Sequence, residues 1–280
     1  MKHVAFIADF YANEILGGAE NNDANLISHL RLHYNVTCYK SKEVQIKDLN
    51  DKDAIVVGNF LFIPPEVKEY LKSTKKYIIY EHDHKYVNTR DPSKFPNFLI
   101  PPSCIIFEDF YTSANTVVVL SEICKQVLEK NINNVNVKNI GCSLWSQEKL
   151  KLLTRLSHNP KTKDLCIMYS QNATKNYPST VEYCKKKNLL YDAIPTQAHV
   201  KFLTEMSQYK RFLFIPTVLE TFSRICAEAK MMNLDVMTNK TKIGFFSEEI
   251  SSLKGVALID ALHEKNNHAL QWFVDCIEEM

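Results

Sequence analysis

Phe214-Ile215-Pro216-Thr217-Val218-Leu219-Glu220-Thr221-Phe222-Ser223-Arg224-Ile225-Cys226-Ala227-Glu228-Ala229-Lys230 is the stretch from which the rest of the chain can be placed. The apolar run from Phe212 reads as a buried strand that stops at Pro216. A short loop then carries Glu220, and a helix is expected from near Phe222 to Met232. Free backbone N–H groups at such a helix start bind phosphate. Glu228 lies about two turns in, among Cys226, Ala227 and Ala229. A carboxylate in so small and apolar a neighbourhood needs a partner, and sugar or ribose hydroxyls are natural ones. The plain alternative is an amphipathic helix with solvated glutamates.

Outward from this stretch, compact apolar runs alternate with helical patterns. Val4–Ala8, Asn35–Tyr39, Ala54–Val57, Tyr77–Tyr80 and Thr116–Leu120 read as strands, with helices over Glu20–Leu32, Pro65–Lys72 and Glu122–Lys130. Ser121 is placed to cap the last of these. The alternation restarts at Leu165–Tyr169, with a helix over Ser179–Lys187 and a strand at Asp235–Met237. Apolar strands separated by helices imply parallel sheets covered on both faces. The expectation is therefore α/β with two Rossmann-like domains, over residues 1–150 and 151–265, and a closing helix in 266–280 docked on a domain face. The polar, helical segment Trp145–Lys163 reads as the hinge.

Composition narrows the class. Hydrophobic residues are 45% of the chain and charged residues 24%, which is the balance of a globular protein with a real core. No run approaches the roughly 20 apolar residues that cross a bilayer, and Val4–Ala8 is too short for a signal segment, so a cytoplasmic protein is expected. The eight cysteines are scattered without a CxxC pair, which reads as small core residues rather than a zinc site. A net charge of +2 does not point to nucleic acid. The Lys72–Lys76 and Lys185–Lys187 clusters fall at helix ends, where cations suit the dipole.

Three further groups sit where ligands of open α/β sheets bind, beyond the carboxyl ends of strands. Gly17-Gly18-Ala19-Glu20 follows the first strand, and two glycines let backbone approach a ligand at a helix start. Glu81-His82-Asp83-His84 follows the fourth. Its composition allows a metal site, a structural histidine or a ligand-facing histidine, although adjacent residues diverge and no third ligand is evident. Lys175 follows the first strand of the second half, as a phosphate ligand or a solvated lysine.

The chain resembles the retaining GT-B glycosyltransferases, the family four-like group with a Pro-Ser-x-x-Glu-x-Phe-Gly-x-x-x-x-Glu-Ala signature. Pro216, Glu220, Phe222, Glu228 and Ala229 match it, with seven residues between the glutamates. The resemblance implies a GT-B fold, two Rossmann-like domains with mostly parallel sheets facing across a cleft. It implies that Glu220 contacts the donor sugar and Glu228 the ribose, and that Gly17 and Gly18 lie near the diphosphate. His82 would face the sugar, with His84 as the alternative register. Lys175 would hold the diphosphate, with the helix start at Thr221 and Phe222. Ser223 replaces the family's glycine, and Ser170-Gln171 replaces its Gly-Arg; Arg224 is positioned to supply some of the missing charge.

The implied activity is transfer of a sugar, with retention, from a nucleotide-sugar such as a UDP- or GDP-sugar. No metal or cofactor is expected, since Lys175 and the helix start near Phe222 can offset the charge of the leaving diphosphate. The rivals are a nucleotide-sugar epimerase or hydrolase, and a degenerate GT-B protein that binds without turnover. The acceptor is open among a glycan, a lipid and a modified DNA base, with Phe60, Phe62, Tyr86 and Arg90 on loops of the acceptor-side domain. Richness in Lys, Asn and Ile points to an AT-rich microbial or viral genome, while no nucleic-acid motif is present.

Overall fold

A computed structural model of the protein describes residues 1–15, 17–74 and 76–280, leaving Lys75 of the first lysine cluster outside the described residues. The apolar runs of the N-terminal half become the centre of one sheet. In chain order the elements are β1 (His3–Ala8), α1 (Gly18–Leu30), β2 (Asn35–Lys40), β3 (Ala54–Val57), α2 (Pro65–Thr74), β4 (Tyr77–Tyr80), α3 (Glu108–Thr112), β5 (Thr116–Val119), α4 (Glu122–Asn131) and β6 (Val137–Asn139). The sheet order is β2-β1-β3-β4-β5-β6, and every pairing is parallel. All residues of β3, β4 and β5 are buried, whereas the edge strands β2 and β6 are partly exposed. That contrast is what helices on both faces of a parallel sheet require.

The second half continues with α5 (Gln147–Ser157), β7 (Lys163–Met168), α6 (Tyr177–Lys186), β8 (Asp192–Ile194), α7 (His199–Met206), β9 (Tyr209–Leu213), α8 (Arg224–Met231), β10 (Asp235–Met237) and α9 (Gly255–Glu279). Its sheet runs β10-β9-β7-β8, again wholly parallel. Leu165, Ile167, Cys184 and Leu213 form a buried cluster with Tyr177, Val181 and Ile215 packed against it. The chain divides into Met1–Trp145 with Lys265–Met280, and Ser146–Glu264.

Several boundaries differ from the sequence reading. The segment read as a hinge is mostly α5, whose Leu150, Leu153 and Leu156 are buried along one stripe. The closing helix is 25 residues long and starts at Gly255. From Lys265 onward it belongs with the first unit: Tyr34 Oη donates to the Val274 carbonyl at 3.1 Å and Lys2 Nζ to that of Ile277 at 2.8 Å. Ser121 occupies the N-cap of α4 in extended conformation, but its side chain makes no capping hydrogen bond. β9 ends at Leu213 rather than at Pro216, because the ladder to β10 closes with the Met237–Leu213 pair. No helix among the described residues is long and apolar enough to cross a membrane.

Ile167 is fully buried at the centre of the second sheet. Ile167→Ala is expected to lower the stability of the second unit by about 2–5 kcal/mol, through lost burial and the cavity left behind. Chemical denaturation followed by circular dichroism checks this, and a loss under about 1 kcal/mol would contradict the packing described.

Candidate functional site

In the second sheet the chain leaves β7 in both directions, to β8 on one side and to β9 on the other. The crevice at such a switch point is where open α/β sheets bind ligands. The loops after β7 and β9 therefore bound the site. They are tied together by the Thr217 N–H, which donates to the Thr174 carbonyl at 3.2 Å. Lys175, from the first loop, donates to Glu220 Oε1, from the second, at 2.8 Å. The side chains are 30% and 13% exposed, so the pair is reachable from solvent. Glu220 is held by its backbone, its N–H donating to the Lys242 carbonyl at 3.0 Å and its carbonyl accepting from Gly244 at 2.9 Å.

Beyond Glu220 the structure corrects the expected helix start. Phe222 is buried, with its ring 5.5 Å from that of Phe245, and α8 begins at Arg224. Thr221 and Phe222 precede the helix, and the first-turn N–H groups belong to the residues after them. Ser223 is the N-cap and lies in the left-handed region, φ +66°. That conformation favours glycine, the residue of the resembling signature. The backbone turn survives although the residue that fits it does not.

Glu228 is buried, its side chain only 1% exposed. His199 Nε2, from the start of α7, lies 3.0 Å from Glu228 Oε2, and Arg224 Nη2 lies 3.9 Å from Oε1. Lys149 Nζ, from α5, lies 3.1 Å from the other ring nitrogen of His199. Burial lowers the Lys149 pKa, with the Glu228 charge opposing and Arg224 adding to the effect. Arg224 thus faces Glu228, and His199 and Lys149 join a site that sequence reasoning built without them. No spacing rule links residues 29 and 79 positions from Glu228. The one usable signal was that a buried carboxylate requires donors.

In the first unit the switch point lies between β1 and β3. Gly17 is the N-cap of α1, which starts at Gly18, earlier than the sequence pattern suggests. One turn on, α1 carries Asp23, fully buried, whose Oδ1 lies 2.8 Å from His82 Nε2. Gly58, at the end of β3, makes room for it: a Cβ there would fall 2.7 Å from Asp23 Oδ2. Glu20 is also buried. Desolvation raises its pKa, Asp23 reinforces the rise and His82 opposes it. Asp23 was missed because a single aspartate inside a helical pattern reads as a solvated face.

The rest of Glu81-His82-Asp83-His84 separates into unrelated contacts. Glu81 Oε1 accepts from Lys85 Nζ and from the Asp83 N–H, both at 2.8 Å, while Tyr111 Oη donates to Oε2. His84 Nδ1 lies 3.2 Å from Tyr86 Oη, and its Nε2 lies 3.9 Å from Cys124 Sγ. Asp83 pairs with Arg90. Among the described residues no group of three or more His, Cys, Asp or Glu side chains is gathered around a common point. Phe60 and Tyr86, expected on acceptor-side loops, are core residues, while Phe62 is 54% exposed. Burial opposes ionisation of Glu81, but the Lys85 charge and its hydrogen bond, with those from Tyr111 and Asp83, hold its pKa down to about 2.

No family model and no curated protein matches the sequence. Solved structures do match the fold over nearly the whole chain. Anabaena Alr3699/HepE in complex with UDP and glucose aligns at a TM-score of 0.54 with 11% identity, covering 100% of both chains. UDP-N-acetylglucosamine 2-epimerase from Rickettsia bellii aligns at 0.54 with 11% identity, over 100% of this chain and 98% of that one. An alpha-glucosyltransferase in complex with UDP-glucose and DNA containing an abasic site aligns at 0.52 with 12% identity, over 96% and 95%. The architecture is GT-B, two Rossmann-like domains each built on a parallel sheet.

Two outcomes follow from these geometries. Ser223→Gly, which removes a Cβ from a left-handed position, is expected to stabilise the protein by about 1 kcal/mol in thermal denaturation; an unchanged or lowered midpoint would count against the φ described. Glu81→Gln strands the buried Lys85 charge and is expected to cost about 3–5 kcal/mol at neutral pH, most of it recovered in Glu81→Gln/Lys85→Met. Because the folded-state pKa of Glu81 is depressed from 4.5 to about 2, its contribution is full above pH 4.5 and disappears as pH falls toward 2. The double variant should lose less stability than wild type across that window.

Proposed function

We propose that the chain is a retaining, metal-independent glycosyltransferase that takes a sugar from a nucleotide-sugar donor, a UDP- or GDP-sugar, and that its second unit binds that donor. The observation that supports this most is the pairing of Lys175 with Glu220 at the switch point, followed by the buried Glu228 on α8. Lys175 offers an ammonium to the donor diphosphate, and the first-turn N–H groups of α8 offer further donors. Glu220 is the proposed contact to the sugar and Glu228 to the ribose. In the first unit, His82, oriented by Asp23, is the proposed side chain facing the sugar, with Gly17 and Gly18 near the phosphates. Structural neighbours that hold UDP and UDP-glucose favour a uridine nucleotide.

In the proposed reaction the bond from the anomeric carbon to the diphosphate oxygen breaks, and the acceptor oxygen bonds to the same face of that carbon. The departing phosphate oxygen takes the acceptor proton. Growing negative charge on the leaving group is what Lys175 offsets. Binding of Lys175 to phosphate has to compete with Glu220, so the ion pair opens as the donor enters. The acceptor belongs to one of three classes, a glycan, a lipid or a modified DNA base. The last gains interest from the DNA-bound neighbour.

A second reading, epimerase or hydrolase of a nucleotide-sugar, is favoured by the epimerase neighbour of equal TM-score. Incubation with a panel of nucleotide-sugars separates the readings. A transferase releases nucleoside diphosphate faster when acceptor is added, a hydrolase does so without acceptor, and an epimerase alters the sugar. Lys175→Ala is expected to lower turnover by about 10²-fold, the scale for losing one charge-stabilising donor. Activity is expected to persist in excess EDTA, with α-linked product from an α-linked donor by NMR. Metal-reversible loss of turnover or an inverted product would overturn the mechanism.

A further inference from the structure

Lys149 and His199 have no role in the proposed reaction, yet His199 contacts the buried carboxylate of Glu228 and Lys149 contacts His199. Resting on that reading, we propose that they are positioning residues for Glu228 and that the three side chains together select a ribonucleotide over its 2′-deoxy counterpart. Hydrogen-bond capacity decides which nitrogen of His199 carries the proton. An ammonium has three donors and no acceptor, so Lys149 Nζ, 3.1 Å from His199 Nδ1, requires the lone pair of that nitrogen. A neutral ring then carries its proton on Nε2, the nitrogen 3.0 Å from Glu228 Oε2. Lys149 selects the tautomer, and the tautomer donates to the carboxylate.

The consequence for Glu228 is orientation. Its side chain is 1% exposed, and a buried carboxylate without a directed donor would be costly and free to rotate. A carboxylate has about four lone-pair sites, and the donor from His199 on Oε2, together with Arg224 3.9 Å from Oε1, fixes its plane. The three residues come from α5, α7 and α8, so the arrangement is set by packing of three helices within one unit. His199 itself is 40% exposed at its side chain. It can be changed without opening a core cavity.

The reading of His199 as a merely structural neutraliser of buried charge predicts equal losses for any nucleotide. The positioning role predicts losses confined to those with a 2′-hydroxyl. Isothermal titration of the full chain with uridine and guanosine diphosphates, each against its 2′-deoxy form, separates them. Wild type should prefer the ribonucleotide by about tenfold, the scale of one hydrogen bond to a charged group. His199→Ala should bring that ratio near unity while leaving 2′-deoxynucleotide affinity within about twofold, and Lys149→Met should lower the ratio partway. His199→Gln, whose amide nitrogen stands in for Nε2, should keep the ratio. Thermal midpoints of each variant establish that the folded protein is being titrated.

Equal loss for ribo and deoxy forms in His199→Ala, an unchanged ratio, or failure of His199→Gln to keep it would overturn the positioning role. Failure of the underlying reading has a different signature. It would appear in the wild type as no ribonucleotide preference, or in Glu228→Gln as a preference that persists.

Discussion

In the first unit a parallel sheet covered on both faces leaves its central strands no place for a charged side chain except beyond their ends, and this constraint organises the site. Strands β3, β4 and β5 are buried at every position, and the polar groups gather where the strands stop. Asp9 follows β1 directly, Gly58 and Asn59 follow β3, and Glu81 and His82 follow β4. In the second unit Lys175 and Glu220 follow β7 and β9. The carboxyl edge is where backbone groups leave the ladder and water is displaced incompletely, so charge is tolerated and ligands find partners there.

Charges held at that edge divide by what satisfies them. Glu81 and Lys85 are both buried and neutralise each other, with Tyr111 and a backbone N–H completing the set. Such a closed pair specifies structure and offers nothing to a ligand. The Lys175–Glu220 pair is partly exposed, so an anion from solvent can compete with the carboxylate for the ammonium. Glu228 lies between these cases, buried yet contacted by side chains that order it. The difference between scaffold and site is therefore accessibility of the partner, since both contain the same residue types.

The turn into α8 shows how far the chain can depart from a signature while keeping its geometry. Ser223 adopts the left-handed conformation that glycine would adopt at less cost. The backbone is held from outside: Phe245 donates its N–H to the Phe222 carbonyl at 2.9 Å, and Gly244 to that of Glu220. Tertiary contacts thereby impose a conformation that local preference opposes, which is the pattern expected where a loop serves a ligand.

The continuous apolar runs made the alternating α/β order, the two Rossmann-like units and the loops that carry Lys175, Glu220 and His82 legible, because burial on both faces demands that composition. Two of the short edge strands were not legible. Val137-Lys138-Asn139 and Asp192-Ala193-Ile194 are only partly buried, and half-exposed segments of three residues carry no periodicity. The true length of α9 was hidden because its residues up to Glu264 answer to one unit and those from Lys265 to the other. Local pattern supplied the residue types at the carboxyl edges. Tertiary structure alone decided that His82 meets Asp23, that Glu81 closes on Lys85 and that Glu228 meets His199, because each pairing joins different elements of the fold or depends on which side of a turn faces the interior. A sequence fixes which charges must be buried near a strand end, whereas the packing of helices around that end determines which donor reaches them.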